Sequence, residues 1–476
     1  MNTITPAIPS SASANTAESS FHTLPLSADM LATLQQLEYL TMTPIQAASL
    51  PIALDGHDLI AQAKTGSGKT AAFGLTLLNN LNPRRFAVQA LVLCPTRELA
   101  EQVTQEIRRL ARFADNIKIL SLCGGTPLRP QAASLEHGVH IVVGTPGRII
   151  DHLSRGSLQL DALNTLVLDE ADRMLDMGFY DDIASVAKQC PAGRQTLLFS
   201  ATYPEGIARL ASQFLRHPQE VKLPEQHQDD KIRQRFYEVT DRERLKAVAV
   251  LLKHYRPIST LAFCNTKQQC RDLLEVLHAQ GFHALTLNGD LEQRERDQVL
   301  IQFANRSCSV LVATDVAARG LDIAQLEAVI NVDITPDPEI HIHRIGRTGR
   351  ADENGWALSL VGPAEQRRVS AIAQQMNIDP DWHSLAALQN TDAAPLTPPM
   401  ATLLILGGRK DKIRPGDVLG ALTGEAGFNA EQVGKITVTD QTTFVAVTRD
   451  IARDAVRKLS AGKLKGKPVK VRILKD

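Results

Sequence analysis

The sequence predicts two consecutive α/β lobes, each a parallel sheet flanked by helices, and then a small α+β domain of order βαββαβ. Three observations carry that expectation. Short apolar runs alternate with helical periodicity over residues 21–380, the pattern restarts near the middle, and both pattern and charge change after residue 400. At 476 residues the chain exceeds one ordinary core, and 43% hydrophobic with 22% charged residues is the composition of a globular enzyme.

Residues 1–20 are rich in Ser, Thr, Ala and Asn without an apolar period, and a disordered leader is expected there. They lack the basic start and apolar core of a secretion signal. Between 21 and 223, runs at 58–61, 90–94, 117–122, 140–143, 165–168 and 196–199 are rich in Val, Leu and Ile. Each is followed by a turn and then helical spacing, so 21–223 reads as the first lobe. A polar stretch at 224–235 precedes a second set of runs at 260–263, 284–287, 310–313 and 328–332, and 231–380 reads as the second lobe. Residues 381–399 hold three Pro and no period, and are expected to be a linker. Within 400–476, strands are expected at 402–406, 435–439, 443–448 and 468–474. Helices are expected at 414–423, with Pro415 in the first turn, and at 450–460.

The net charge of zero hides an asymmetry. Residues 400–476 carry 15 Lys and Arg against 8 Asp and Glu, a surplus of seven that the rest of the chain offsets. A basic end on an acidic remainder points to a nucleic-acid module. No apolar run approaches the ~18 residues of a spanning helix, so no membrane partner is expected. Six scattered Cys without a CxxC pair indicate reduced thiols and a cytoplasmic setting.

Ala63-Lys64-Thr65-Gly66-Ser67-Gly68-Lys69-Thr70 follows a strand and opens a helix. Its glycines let backbone N–H groups cradle phosphates at a helix N-terminus, although Ala63 replaces the usual first Gly. Lys69 is placed to reach the β- and γ-phosphates of ATP, and the Thr70 hydroxyl to ligate Mg²⁺. Asp169-Glu170-Ala171-Asp172 ends a buried run. Asp169 suits Mg²⁺ held largely through water, and Glu170 suits deprotonation of the attacking water. Together these define a nucleoside triphosphatase.

Asp-Glu-Ala-Asp is also the signature of the DEAD-box ATP-dependent RNA helicases, and residues 21–360 resemble that family motif by motif. Thr43-Pro44-Ile45-Gln46 resembles the Q motif, whose glutamine reads adenine, with Phe21 at the upstream aromatic position. Thr96 and Arg97 in PTRELA, Gly124-Gly125, and Thr145, Gly147 and Arg148 in TPGR match RNA-contacting motifs. Ser200-Ala201-Thr202 matches the motif that couples hydrolysis to strand separation. Thr314 and Asp322, with His343, Arg347 and Arg350 in HRIGRTGR, complete the second lobe. The resemblance implies RecA-like lobes, ribose binding by Asp322, RNA contact by Thr314, coupling through Asp172 and His343, and arginine fingers at Arg347 and Arg350. A lone arginine is usually a surface ion pair; two at i and i+3 among glycines reverse that expectation. His341 and His343 have no further ligands for a metal nearby, so packing and hydrogen bonding are expected of them. Two positions depart from the family pattern: Glu38 in place of Gly, which bears on a local turn, and Asn288 in place of His, which bears on one RNA contact.

Residues 413–424 and the Gly462-Lys463-Leu464-Lys465-Gly466-Lys467 stretch resemble the DbpA subfamily. That resemblance implies an RNA-recognition-like fold binding a hairpin of 23S ribosomal RNA, on large-subunit precursors. Lys463, Lys465 and Lys467, with Lys470 and Arg472, are the phosphate-contact candidates. Only Phe428 and Phe444 are available to stack bases. Arg449, Arg453 and Arg457 form either a basic stripe or, with Asp450 and Asp454 interleaved, a solvated helix face. A DNA translocase of the same superfamily and an ATP-locked RNA clamp are the rival readings; Gln46 with DEAD and SAT opposes the first, and intact Glu170, Arg347 and Arg350 the second. A monomer is the default.

Overall fold

The computed structural model describes residues 19–63, 66–203, 205–222, 232–318, 326–349, 355–388 and 392–474. Of the expected leader, residues 1–18 lie outside the described residues, while Ser19 and Ser20 belong to the first lobe. The Ser20 hydroxyl caps the short turn Phe21–Thr23, and Ser19 O accepts from Met42 N at 2.7 Å.

In the first lobe seven parallel strands form one sheet: β1 (Leu59–Gln62), β2 (Ala90–Leu93), β3 (Ile119–Leu122), β4 (Ile141–Gly144), β5 (Thr165–Leu168), β6 (Gln195–Ser200) and β7 (Gln219–Lys222). Their order is β3-β4-β2-β5-β6-β1-β7. Along β2, Ala90 and Val92 enter one apolar layer and Leu91 and Leu93 the other, as the two-residue period of a doubly covered strand requires. β7 escapes a reading from sequence because Gln-Glu-Val-Lys is a mostly exposed edge strand with no apolar run.

The second lobe repeats the plan with β8 (Ile232–Glu238), β9 (Thr260–Cys264), β10 (Ala284–Leu287), β11 (Val310–Thr314), β12 (Ala328–Asn331), β13 (Gly355–Val361) and β14 (Trp382–His383). The order is β10-β11-β9-β12-β13-β8-β14. β8 starts inside the stretch expected to be a polar separator. Its Arg233 and Arg235 disguise a strand, their guanidinium groups lying 5.4 and 4.9 Å from the Trp356 ring centroid. β14 falls in the expected linker and corrects it. Trp382 and His383 pair with Phe236 and Tyr237, and Leu385 and Leu388 pack on the lobe's core.

The terminal domain has the expected order. β15 (Met400–Leu406), β16 (Val433–Val438), β17 (Thr442–Thr448) and β18 (Lys470–Ile473) form an antiparallel sheet ordered β16-β17-β15-β18. The helices Pro415–Gly420 and Ala452–Ala461 cover one face through Leu403, Ile405, Val445 and Val447. The opposite face meets the second lobe. The Thr402 hydroxyl takes a hydrogen bond from Asn305 Nδ2 at 3.1 Å and pairs with Ser307 Oγ at 2.6 Å, and Arg449 Nη2 donates to Ser307 O at 3.0 Å.

Candidate nucleotide and RNA sites

The phosphate loop bridges β1 and the helix Lys69–Asn79, as its strand–glycine–helix order dictates. Lys64 and Thr65 lie outside the described residues. Gly66 and Gly68 hold φ of 83° and 94°, where only glycine rests without strain. A Cβ on Gly68 would also lie 2.6 Å from Gln46 Nε2. Ser67 and Thr70 are half-buried, and Lys69 is buried with its Nζ donating to Ala63 O at 2.7 Å. Gln46 touches the same loop. Its Nε2 donates to Gly68 O at 3.1 Å and its Oε1 accepts from Thr43 N at 2.9 Å, so adenine contact requires these bonds to exchange. Phe21 is 3% exposed, its ring edge-on to Tyr39, and little of its face is open to a base. Glu38 resolves one departure. It closes the helix Ala28–Gln36 at φ 63° while Tyr39 N donates to Leu34 O at 2.9 Å, so the left-handed turn persists without glycine.

Asp169 and Glu170 follow β5, the neighbour of β6, and both are buried. Glu170 takes a left-handed conformation (φ 50°), a strain common at functional sites. Burial raises the Asp169 carboxyl to about 7, opposed by the Lys69 ammonium and reinforced by Glu170. A cation would relieve that cost, and a buried carboxylate whose charge meets Lys69 of the phosphate loop suits Mg²⁺, which keeps most of its waters. Asp172 joins DEAD to SAT: its Oδ2 accepts from Ala201 N (3.0 Å), Thr202 N (2.9 Å) and Thr202 Oγ1 (3.0 Å), while its own N–H donates to Ser200 Oγ at 3.3 Å.

The raised carboxyl makes stability depend on pH. With a folded pKa near 7 against an unfolded value near ~3.9, the native state binds the extra proton, so this group's contribution to stability falls as pH rises from ~4 through ~7. Asp169→Asn removes the titration. The variant should melt above the wild type at pH 8, with the gap narrowing toward pH 5 in thermal unfolding scans. A gap that does not grow with pH contradicts this origin.

The RNA-like motifs occupy the other half of the same sheet edge. The carboxyl ends of β3, β4 and β2 carry Gly124-Gly125, TPGR and PTRELA, whereas β5, β6 and β1 carry DEAD, SAT and the phosphate loop. Ligands of open parallel sheets bind at this edge. Thr96 caps the helix Arg97–Leu110, its hydroxyl accepting from Leu99 N at 3.3 Å. Arg97 lies against Gly125 (φ 77°), where a Cβ would fall 1.8 Å from Nη1. Thr145 caps the helix Pro146–Ser154, Gly147 borders open space, and Arg148 Nη1 donates to Thr126 O at 3.0 Å and Gln131 Oε1 at 2.6 Å.

In the second lobe Thr314 ends β11 and is half-buried. Arg347 is buried and His343 half-buried, while Asp322 and Arg350 lie outside the described residues. Sequence reasoning missed Arg344, the anchor of the motif. At 2% exposure its Nε and Nη2 bond Asp315 Oδ1 and Oδ2, each at 2.7 Å, its Nη1 bonds Asp333 O at 2.7 Å, and Nη2 also bonds Asn265 Oδ1 at 3.0 Å. His341 packs beside Phe236 (centroids 6.4 Å) as expected. The expected hydrogen bond is absent: neither ring nitrogen has a partner among the described residues, and burial lowers its pKa to about 3. Asn288 is buried and accepts from Asp290 N at 2.9 Å, so this replacement for His forms a turn.

In the terminal domain Lys463, Lys465 and Lys467 are exposed on a two-residue turn, closed by Leu464 N to Lys467 O (2.8 Å) and Lys467 N to Leu464 O (3.1 Å). Lys465 and Gly466, at φ 55° and 77°, give it the hairpin-turn hand. Lys465 Nζ lies 3.2 Å from Asp417, which also accepts from Arg414 N at 2.8 Å. A second basic loop, exposed Arg409, Lys410, Lys412 and Arg414, is masked in the sequence because Asp411 interrupts it. The three arginines form neither arrangement as a set: Arg449 precedes the helix, is half-buried and donates to Pro398 O at 2.8 Å, whereas Arg453 and Arg457 are exposed on the helix and Arg457 pairs with Asp454.

A phosphate loop after β1, buried carboxylates after β5 at the same sheet edge and a second lobe of the same plan define a two-lobed RecA-like ATPase. Residues 43–210 match the DEAD/DEAH box helicase family, 243–352 the helicase conserved C-terminal domain and 402–473 the DbpA RNA binding domain. The ATP-dependent RNA helicase DbpA of Escherichia coli is 52% identical over 97% of this chain and 100% of its own length. The DEAD-box ATP-dependent RNA helicase CshA of Bacillus subtilis is 42% identical over 74% of this chain and 72% of its own. The structure of Saccharomyces cerevisiae Dbp5 bound to RNA and ADP BeF3 superposes at TM-score 0.71, with 30% identity, covering 77% of this chain and 96% of that one. The chain belongs to the DEAD-box ATP-dependent RNA helicases, in the DbpA subfamily, and is an RNA-stimulated ATPase.

Proposed function

We propose that this helicase unwinds RNA locally on 23S ribosomal RNA, in precursors of the large ribosomal subunit, and that it works in the cytoplasm as a monomer. The exposed lysine turn at 463–467, on a domain similar to the DbpA RNA binding domain, carries the reading. No helix among the described residues is long and apolar enough to cross a membrane. The division of labour proposed for the chain is a leader before Ser19, a first lobe to about residue 223, a second lobe from about 231 that takes in β14 and Leu388, a linker shortened to the residues between that lobe and 399, and the RNA-binding domain at 400–476.

In the first lobe Lys69 holds the β- and γ-phosphates within the loop Ala63–Thr70, with Gln46 and Phe21 at the adenine. Thr70 and Asp169 would hold Mg²⁺, which neutralises phosphate charge. Glu170 takes the proton of the attacking water, Arg347 and Arg350 stabilise charge on the γ-phosphate, and Asp322 binds the ribose. Thr96, Arg97, Gly125, Thr145, Gly147, Arg148 and Thr314 contact sugar and phosphate, which carry no sequence information. Asp172, Ser200, Thr202 and His343 transmit hydrolysis to strand separation. The experiment is ATPase stimulation by RNA and DNA of identical sequence. RNA alone should stimulate; equal stimulation by DNA overturns the assignment.

A further inference from the structure

Three Phe, Tyr or Trp side chains stand exposed among the described residues, and their surroundings differ in charge. Trp382 follows Asp379 and Asp381, and Tyr203 lies near Glu220, carboxylates that would repel a phosphate chain. Phe86, at 53% the most open of the three, follows Arg84 and Arg85, and Lys118 Nζ stands 5.2 Å from its ring centroid. The terminal domain offers no such ring, since Phe428 and Phe444 are both buried.

A single exposed apolar side chain is ordinary on a loose loop, but this loop is fastened from beneath. Gln89, 3% exposed, accepts from Asn82 N at 2.9 Å, and its Nε2 donates to Asn82 O at 2.9 Å and Arg85 O at 2.8 Å. The wholly buried His140 accepts from Lys118 N on Nδ1 at 3.0 Å, so its proton sits on Nε2, which donates to Pro83 O at 3.1 Å. Its ring also supports Phe86, with centroids 5.0 Å apart. Gly138, at φ 77°, completes the seat, because a Cβ there would fall 2.9 Å from Phe86 Cβ. Arg84, Arg85 and Lys118 are exposed, and none has an acidic partner among the described residues, whereas Arg109 and Arg155 of the same lobe pair with Glu106 and Asp151. Two buried polar side chains thus hold an open ring and unneutralised cations in fixed positions.

We propose that this patch is a second RNA contact of the first lobe, where one unpaired base stacks on Phe86 while Arg84, Arg85 and Lys118 neutralise the neighbouring phosphates. An aromatic platform among cations is what single-stranded nucleic acid requires, and it accepts any base. The patch lies at the amino ends of the adjacent strands β2, β4 and β3, which Phe86, His140 and Lys118 precede. The RNA-like motifs occupy the carboxyl ends of the same strands, so the two contacts are on opposite edges of the sheet. The patch therefore holds RNA flanking the segment being unwound and adds no sequence selectivity. It needs only the RNA helicase class established above, not the ribosomal target.

The test measures binding of the full chain, by fluorescence anisotropy, to an RNA hairpin with and without long unpaired oligo(A) extensions at both ends. Phe86→Ala should bind the extended RNA at least about 5-fold more weakly than the wild type, the low end for one stacked base. It should bind the bare hairpin as the wild type does, and Phe86→Trp should restore affinity for the extended form. Replacing Arg84 and Arg85 with Gln should weaken the extended RNA alone and lower its log–log salt slope by about 0.7 for each phosphate no longer neutralised. Melting temperatures and the ATPase rate at saturating RNA should stay at wild-type values, because Gln89 and His140 still hold the loop. Wild-type affinity of Phe86→Ala for the extended RNA overturns the site and leaves the ring to a protein partner or to bare surface. An equal loss for both RNAs overturns it as well, since the ring would then serve the fold.

Discussion

Lys69→Ala is expected to abolish RNA-stimulated ATP hydrolysis, with a loss of at least about 10²–10³ in rate, the scale for removing one preorganised donor from a reacting centre. The Lys69 side chain is buried where the loop meets its helix, with Nζ on Ala63 O and its charge next to Asp169. No other lysine of the loop is at the start of that helix, so a neighbour cannot substitute. The fold should tolerate the change, because Asp169, already raised to about 7, takes a proton once the opposing charge is gone. Nucleotide affinity and single-turnover hydrolysis, measured beside a melting curve, check this. Near-normal turnover in the folded variant contradicts the phosphate-loop assignment.

Asp172→Ala should separate hydrolysis from unwinding and also destabilise the first lobe. Asp172 is 3% exposed and accepts three hydrogen bonds from Ala201 and Thr202 through one oxygen, with a fourth from Arg173 N through the other. At about 1 kcal/mol for each orphaned donor the cost is roughly 3–4 kcal/mol. Thr202→Ala deletes one donor without stranding an acceptor, and should keep its melting temperature within a few degrees. Both variants are expected to separate fewer duplexes per ATP hydrolysed, which strand-displacement and phosphate-release assays on one sample measure together. An unchanged ratio in the folded Thr202→Ala protein rules out coupling through this contact.

The buried central strands are legible in the sequence because a doubly covered parallel strand must be apolar on both faces, as Ala90 to Leu93 and Thr165 to Leu168 are. Strands at or next to an edge carry no such mark: β7 is polar, β8 hides behind two arginines that rest on Trp356, and the edge strand β14 beside it is two residues long. The nucleotide motifs are legible because phosphate chemistry demands glycines, a lysine and carboxylates in fixed order. Arg344 is not, since its importance comes from Asp315, Asp333 and Asn265 converging on it from distant parts of the chain. The same holds for Arg449, whose spacing suggests a surface charge and whose guanidinium bonds Pro398 and Ser307. Thr402 gives no hint in sequence that its sheet face is a docking surface.

The central claim is that the terminal domain directs a generic RNA-dependent ATPase to its ribosomal target. It is tested most directly by the RNA concentration that half-saturates ATPase activity, compared between a 23S fragment carrying the hairpin and an unrelated duplex of equal length. The full chain should need far less of the 23S fragment. Replacing Lys463, Lys465 and Lys467 with Gln should raise both concentrations, leave the saturated rate unchanged, and flatten the log–log salt slope by about 0.7–0.9 for each phosphate no longer neutralised. Equal half-saturation by the two RNAs in the intact protein, or a triple variant indistinguishable from it, would contradict the claim.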